Sequence, residues 1–180
     1  MGLDGVELVM AWEESFRIRL EDPEAFKLIN TRMAVDLIAA KVGALPKPGP
    51  CLSLCAFNRL RAAFCHAGIE RNRIRPGELT KRLIKTDPNC WGIKDAVRGE
   101  TGWTKLPLDG GWTGYVFSQQ TIADLVRWVL VNASETLRDP GTPWTHNQVR
   151  DVVRAIIIEQ TAVEPGFSDE AEFVRDLGID

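Results

Sequence analysis

Apolar side chains recur at every third or fourth position along most of this chain, and this spacing constrains the fold more than any other feature. The period is typical of amphipathic α-helices, whereas a half-buried strand would alternate at every second position. No segment alternates convincingly, so we predict an all-α fold. The residues predicted to face inward are Leu8, Val9, Trp12 and Phe16; Ala34, Leu37, Ile38 and Val42; Leu54, Phe57, Leu60, Phe64 and Cys65; Ile122, Leu125, Val126, Val129 and Leu130; and Val149, Val152, Val153, Ile156 and Ile157.

Polar residues and glycines mark the predicted helix ends. Asp4 with Glu7 and Thr145 with Gln148 have the form of a capping box. Thr31 is a candidate cap, whereas Gly43 and Gly68 are natural terminators. Pro76 and Pro88 each suit the first turn of a short helix. We predict a loop from Gly99 to Tyr115, a long helix from about Ser118 to Leu137 and a short helical stretch before the final residues, Asp176-Leu177-Gly178-Ile179-Asp180.

Two stretches rich in proline divide the chain, residues 44–50 and 139–143, and we interpret both as linkers. An internal repeat is also visible. The segment 60–64 matches 153–157, and the similarity continues through Ile69 and Val163 at an offset of 93 or 94 residues. Thr31-x5-Leu37-Ile38 likewise echoes Thr121-x3-Leu125-Val126. Related helical units would give this pattern, as would two amphipathic helices that are alike by chance.

The composition is that of a folded, soluble chain, with 44% hydrophobic and 26% charged residues. No apolar run approaches the roughly 18 residues of a membrane span, and the first residues do not form a secretory signal. We therefore expect no membrane span and a cytoplasmic location.

The net charge of −3 conceals an asymmetry. Residues 44–110 carry 12 basic and 6 acidic side chains, whereas residues 1–43 carry 5 and 8, and residues 111–180 carry 5 and 11. A basic middle is one mark of nucleic-acid binding. However, no aromatic stacking pattern interleaves the arginines, and docking of a basic segment onto the acidic flanks explains the pattern equally well. We expect no nucleic-acid partner.

Candidate metal and catalytic residues are few. Cys65 and His66 follow a C-x3-C pair, but structural zinc sites normally have tighter paired spacing, and these cysteines lie in apolar helical segments. We therefore expect free thiols and no metal. Asp95 and Glu100 have the composition of a glycosidase pair, which surface polarity explains more simply. We expect no enzymatic activity.

The first residues of the chain form a recognisable motif, which reads Gly2-Leu3-Asp4-Gly5-Val6-Glu7-Leu8-Val9-Met10-Ala11-Trp12-Glu13-Glu14-Ser15-Phe16. This motif is similar to the second helix of acyl carrier proteins, and residues 20–38 are similar to the short third helix and the fourth helix of that family. The final segment, from Val153 to Asp180, resembles the family's first helix and the long loop after it. In the family, that loop ends immediately before the modified serine.

The two matching pieces occur in reversed order, as in a circular permutation. The resemblance implies a four-helix carrier-like bundle formed by residues 1–43 and 144–180, with residues 51–138 as an inserted helical domain that is faintly carrier-like. The pieces total 80 residues, about one carrier domain. A homodimer in which chains exchange the C-terminal helix is the alternative.

The resemblance also identifies the site residues. Carrier proteins bear 4′-phosphopantetheine on a serine at the start of the second helix, and here that position is Gly5, which has no hydroxyl to modify. The resemblance implies 4′-phosphopantetheine as cofactor, but the sequence predicts that none is attached. Glu7, Met10, Glu13 and Glu14 occupy the positions through which the family binds basic patches on biosynthetic enzymes.

The sequence thus predicts a non-catalytic, acyl-carrier-like protein that binds partner enzymes or a lipid in fatty-acid, polyketide or related biosynthesis. A working carrier is the alternative if Gly5 replaces a natural serine. A structural or oligomerisation module is a further alternative.

Overall fold

The computed structural model describes residues 2–84, 90–108 and 120–179. These residues form eight α-helices, joined by turns and short 3-10 segments, and no β-strand. The chain is all-helical, as predicted. The helices are α1 (Leu3–Phe16), α2 (Asp22–Ala25), α3 (Thr31–Lys41), α4 (Leu52–His66), α5 (Thr80–Ile84), α6 (Cys90–Thr101), α7 (Ile122–Ala133) and α8 (His146–Thr161).

The chain divides into two compact units. The first contains residues 1–52 and 130–180, and the second contains residues 53–129. Both linker stretches, 44–50 and 139–143, therefore fall within the first unit.

In the first unit, α8 packs against both α1 and α3 of the same chain. The predicted inward face of α8 is confirmed, because its five residues are fully buried. Trp12 of α1 and Ile38 of α3 are buried too, at 2% and 0% exposure. Burial of each such side chain contributes about 1.5–3 kcal/mol to the stability of the folded state. The apolar faces that the helical spacing predicts therefore stabilise the contact among α1, α3 and α8. The five residues are Val149, Val152, Val153, Ile156 and Ile157.

The ends of these helices only partly follow the sequence prediction. The capping box of Thr145 and Gln148 is present, and Gly43 has the positive φ of a terminator. The predicted Asp4–Glu7 box is wrong, because α1 begins at Leu3 after Gly2 and Asp4 lies within its first turn. Thr31 is the first residue of α3 and not its cap. Asn30 caps that helix by accepting a hydrogen bond from the Met33 amide at 3.0 Å.

The segment after α3 is fastened to the start of α8. The Leu45 amide donates to the Trp144 carbonyl at 2.8 Å, and the His146 amide donates to the Leu45 carbonyl at 3.1 Å. Four residues further on, the Gly49 amide donates to the Asn147 side chain at 2.9 Å. The chain therefore leaves the N-terminal helices and returns to the C-terminal helix at neighbouring positions.

Gly49 lies too close to this helix start to carry a side chain. A Cβ atom there would lie 2.6 Å from Thr145 Oγ1 and 3.0 Å from Gln148 Nε2, side-chain atoms of the two residues that form the capping box. Both residues are buried and cannot move aside freely. We therefore expect Gly49→Ala to lower the free energy of unfolding by about 1–2 kcal/mol in urea denaturation. Gly77→Ala is the matched control, because a Cβ at Gly77 meets nothing within 4 Å; an equal loss in the two variants would contradict this explanation.

The C-terminal segment folds back onto the start of α3. The Phe173 amide donates to the Ile29 carbonyl at 2.9 Å, and Asn30 and Glu172 form an isolated antiparallel bridge. The short helix predicted before the final residues is wrong: residues 173–177 form turns that are stabilised by this pairing.

The second unit has its own core, but its helices differ from several predictions. Leu54 of α4 is 57% exposed, so its predicted inward position is wrong, and Phe57 and Cys65 are only half-buried. Leu60 and Phe64 are buried as predicted, together with Leu52, Ala56 and Ala63. Pro76 lies in a turn before α5, and Gly99 lies within α6 where a loop was predicted. The predictions for Pro88, for Ser118 and for the loop from 109 to Tyr115 concern residues outside those that the structure describes.

Candidate functional site

Gly5, the position of the expected attachment serine, lies in the first turn of α1. This helix starts at Leu3 without any side-chain cap. A helix start of this kind has unpaired amides and a favourable field for negative charge, which suits a phosphate group. The position itself offers no atom that could be esterified.

A cavity of about 210 Å³ opens beside Gly5. Both ends of the chain contribute to it, because Gly5 and Trp12 of α1 and Phe173 and Ile179 of the C-terminal segment all line its walls. An apolar cavity of 150 Å³ accommodates benzene, so this one can hold a short alkyl group. The remaining lining residues are Leu8, Val9, Phe26, Leu28, Ile29, Glu172 and Val174.

The residues around Gly5 do not fit covalent attachment of 4′-phosphopantetheine. None of the described residues that line the cavity carries a hydroxyl or a thiol. The next hydroxyl along α1 belongs to Ser15, ten residues and about 15 Å further along the helix axis. Attachment needs a nucleophilic oxygen at the start of this helix, and the cavity does not provide one.

One wall of the cavity carries an unsatisfied polar group that the sequence did not reveal. Trp12 is 2% exposed, and its indole Nε1 has no hydrogen-bond partner among the described residues. A buried N–H without a partner destabilises the fold by about 1–3 kcal/mol. The described lining is therefore mainly apolar, with Glu172 as its charged residue and Trp12 as a residue whose indole N–H has no partner among the described residues.

The outer face of α1 brings the predicted partner-binding residues together. Glu7, Met10, Glu13 and Glu14 line an open cleft of about 600 Å³, with Gln160 of α8 on its other side. Met10 is 61% exposed, and Glu7 and Glu14 are exposed on either side of it.

Glu13 has an additional structural contact. One of its carboxylate oxygens accepts a hydrogen bond from the Leu20 amide at 2.7 Å. This bond fixes the loop that follows α1. Glu13 is half-buried, so the exposed part of this face consists mainly of Glu7, Met10 and Glu14.

Two of the other candidate residues, His66 and Glu100, pair with each other on the surface. His66 Nδ1 lies 3.1 Å from a Glu100 carboxylate oxygen, and both side chains are exposed. Within residues 2–84, 90–108 and 120–179, no three potential metal ligands cluster. No helix in the same ranges has the length and apolar character needed to cross a membrane.

The chain is similar in part to curated acyl carrier proteins. A stretch of 42 residues, 23% of this chain, is 52% identical to the acyl carrier protein of Guillardia theta, and covers 52% of that protein. The acyl carrier protein of a Picosynechococcus strain matches to the same extent. That of Cyanidium caldarium is 52% identical over 40 residues, which are 22% of this chain and 46% of the relative.

The chain thus spans about half the length of the curated relatives it matches. No family model matches it, and no solved structure matches it. The similarity establishes an acyl-carrier-like region within an all-helical chain.

Proposed function

We propose that this chain is an acyl-carrier-like protein that has lost covalent attachment and acts as a non-catalytic binding partner of enzymes in fatty-acid, polyketide or related lipid biosynthesis. The observation that carries this proposal is the glycine at the start of α1, beside a cavity whose described lining contains no hydroxyl. The matched relatives are named as acyl carrier proteins, and the acidic face of α1 is the surface left for recognition.

We propose further that the bundle is circularly permuted. Two observations support this arrangement. Gly5 and Ile179, near the two chain ends, line one cavity, and Leu45, after α3, pairs with Thr145, before α8, within the first unit. Joining the ends at the cavity would restore the order of helices in an ordinary carrier.

Restoring the hydroxyl tests the loss of attachment. We expect the Gly5→Ser variant, incubated with coenzyme A and a broad-specificity phosphopantetheinyl transferase, to gain the mass of one phosphopantetheinyl group. The unchanged chain and the matched control Gly5→Ala are expected to gain none, because neither has a nucleophilic oxygen at this position. Intact-protein mass spectrometry measures the outcome.

Two results would contradict the proposal. Modification of the unchanged chain would show that attachment persists at another residue. A folded Gly5→Ser variant that resists modification, with an unchanged far-ultraviolet circular dichroism spectrum, would show that the bundle does not present a carrier-like site.

Charge reversal tests the partner face. In the Gly5→Ser background, we expect Glu7→Lys/Glu14→Lys to lower kcat/KM for modification by the transferase about tenfold at low salt, equivalent to about 1.4 kcal/mol. The effect should diminish as salt screens the interaction. Glu164→Lys/Asp139→Lys makes the same change of charge at exposed positions elsewhere in the first unit. If both double variants slow the enzyme equally, net charge alone acts and the α1 face has no special role.

A further inference from the structure

The second unit carries a basic cleft that the proposed function does not use. Arg73, Arg75 and Arg82 line an open cleft of about 420 Å³, together with Asn72 and Glu78. The three arginines are exposed and come from the 3-10 turn Arg71–Arg73, the turn that follows it and α5. The sequence had indicated a basic middle segment, but not that these side chains border one depression.

Backbone contacts hold two of the arginines in place. Arg73 donates from its guanidinium to the Arg82 carbonyl at 3.1 Å, and Arg75 Nε donates to the Asn72 carbonyl at 3.2 Å. Both bonds end on neutral carbonyl oxygens, so neither cancels the positive charge. Glu78, the one acid among the described residues of the cleft lining, lies 3.9 Å from Arg82. The guanidinium groups of Arg73 and Arg75 therefore give the described lining a surplus of positive charge, beside the apolar stems of these side chains.

The two units have opposite charge. Residues 53–129 carry 12 basic and 7 acidic side chains, a net charge of +5, whereas the remaining residues carry 10 and 18, a net charge of −8. On the acidic unit, Met10 is 61% exposed and lies with Glu7 and Glu14 on one open face of α1. Carboxylates around an exposed apolar side chain are complementary in charge and polarity to guanidinium groups with apolar stems.

We propose that the basic cleft of one chain binds the acidic α1 face of a second copy. The two surfaces differ, so the contact is head-to-tail, and an open assembly keeps one free cleft and one free α1 face unless a ring closes. Because the interaction relies on exposed charges, it is weak and strong screening by salt dissociates it. This inference rests on the proposed function in one respect, that the α1 face is available as a binding surface.

Reciprocal charge reversal tests the pairing. In sedimentation velocity at low ionic strength, the weight-average sedimentation coefficient of the unchanged chain should rise with concentration, and 0.5 M salt should abolish the rise (the Debye length falls to roughly 4–5 Å). Arg73→Glu/Arg75→Glu and Glu7→Lys/Glu14→Lys should each abolish the rise when studied alone. An equimolar mixture of the two variants should associate again, since the unchanged α1 face of the cleft variant meets the unchanged cleft of the α1 variant, and the two reversed surfaces are also opposite in charge.

Matched controls separate the pairing from net charge. Lys47→Glu/Lys105→Glu changes the net charge as much as the cleft variant, and Glu164→Lys/Asp139→Lys as much as the α1 variant, all at exposed positions outside both surfaces. Both controls should retain self-association. Failure of the mixed variants to associate would overturn the proposal, as would a dimer that persists in 0.5 M salt, which would indicate helix exchange.

Nucleic-acid binding is the remaining outcome. If the unchanged chain stays monomeric but binds a single-stranded RNA oligonucleotide, and Arg73→Glu/Arg75→Glu abolishes that binding, the cleft serves nucleic acid and the proposal is wrong. None of these results alters the mass measured for the Gly5→Ser variant, so failure of this inference is distinguishable from failure of the proposed function.

Discussion

Replacing Ile156 with alanine is expected to lower the free energy of unfolding of the first unit by about 2–5 kcal/mol. Ile156 is fully buried on α8, the helix that packs against α1 and α3. Truncation removes apolar contacts and leaves a cavity that neighbouring helices fill only in part. Hydrogen–deuterium exchange of the α1 and α3 amides measures the loss directly, because these amides exchange when the three-helix contact opens.

Ile158 provides the matched control for this substitution. It lies two residues further along α8 and is only half-buried, so Ile158→Ala should cost about 1 kcal/mol or less while changing helix propensity by the same amount. An equal loss of protection in both variants would mean that α8 does not complete the bundle, and the carrier-like arrangement of the two chain ends would be wrong.

The packing of α8 that Ile156→Ala tests was predictable from the sequence, because the spacing of apolar residues within one helix is a local pattern. The spacing of Val149, Val152 and Ile156 places all three on one side of a helix whatever lies opposite. The repeat was also informative. α4 and α8 begin at Leu52 and His146, 94 residues apart, and the bridges Leu79–Thr121 and Asn30–Glu172 occupy corresponding places in the two units.

Helical spacing predicts the inward face less well for a helix such as α4, whose apolar residues are distributed over more than one face. Leu54 is predicted to face inward, but the buried side of α4 includes Ala56 and Ala63. Alanine is small and only weakly hydrophobic, so its positions contribute little to the hydrophobic periodicity from which the inward face is predicted. Leu54 is exposed instead. Periodicity identifies the inward face only when the opposite face is polar.

The sequence predicts which residues belong to the candidate site, but not the cavity beside them. Gly5 and the acidic residues of α1 follow from the resemblance, whereas the cavity depends on contacts between α1 and residues more than 160 positions away, such as Phe173 and Ile179. The unpaired indole of Trp12 and the arginine-walled cleft are likewise tertiary features. Local patterns cannot indicate them.

Asp169 was missed for the same reason, although it connects three parts of the first unit. Its carboxylate forms ion pairs with Arg150 and Arg154 of α8, and its carbonyl accepts a hydrogen bond from the Arg32 amide of α3 at 2.9 Å. Arg154 also donates to the Phe167 carbonyl at 2.9 Å and stacks over the Phe167 ring. These contacts fix the turns that lead to the cavity.

We expect Asp169→Asn to lower the free energy of unfolding at pH 7 by about 2–3 kcal/mol, because two charge-assisted hydrogen bonds are lost and Arg154, whose side chain is 19% exposed, loses its counter-charge. Urea denaturation measures the loss. Asp139→Asn, a change of the same kind at an exposed position of the same unit, should have an effect within about 0.5 kcal/mol.

The pH dependence of this loss gives a sharper test. Burial raises the pKa of the Asp169 carboxyl, but the hydrogen bonds and charges of Arg150 and Arg154 outweigh burial and hold that pKa below its ordinary value of 3.8. The unfolded chain therefore binds the proton more tightly than the folded chain does. The stability that Asp169 contributes is fully present above the ordinary pKa and is lost as the pH falls through the lowered value.

The difference in unfolding free energy between the unchanged chain and Asp169→Asn should accordingly be constant near neutral pH and shrink below pH 3.8. A difference that persists undiminished in acid would mean that the ionised carboxylate is not what stabilises these turns.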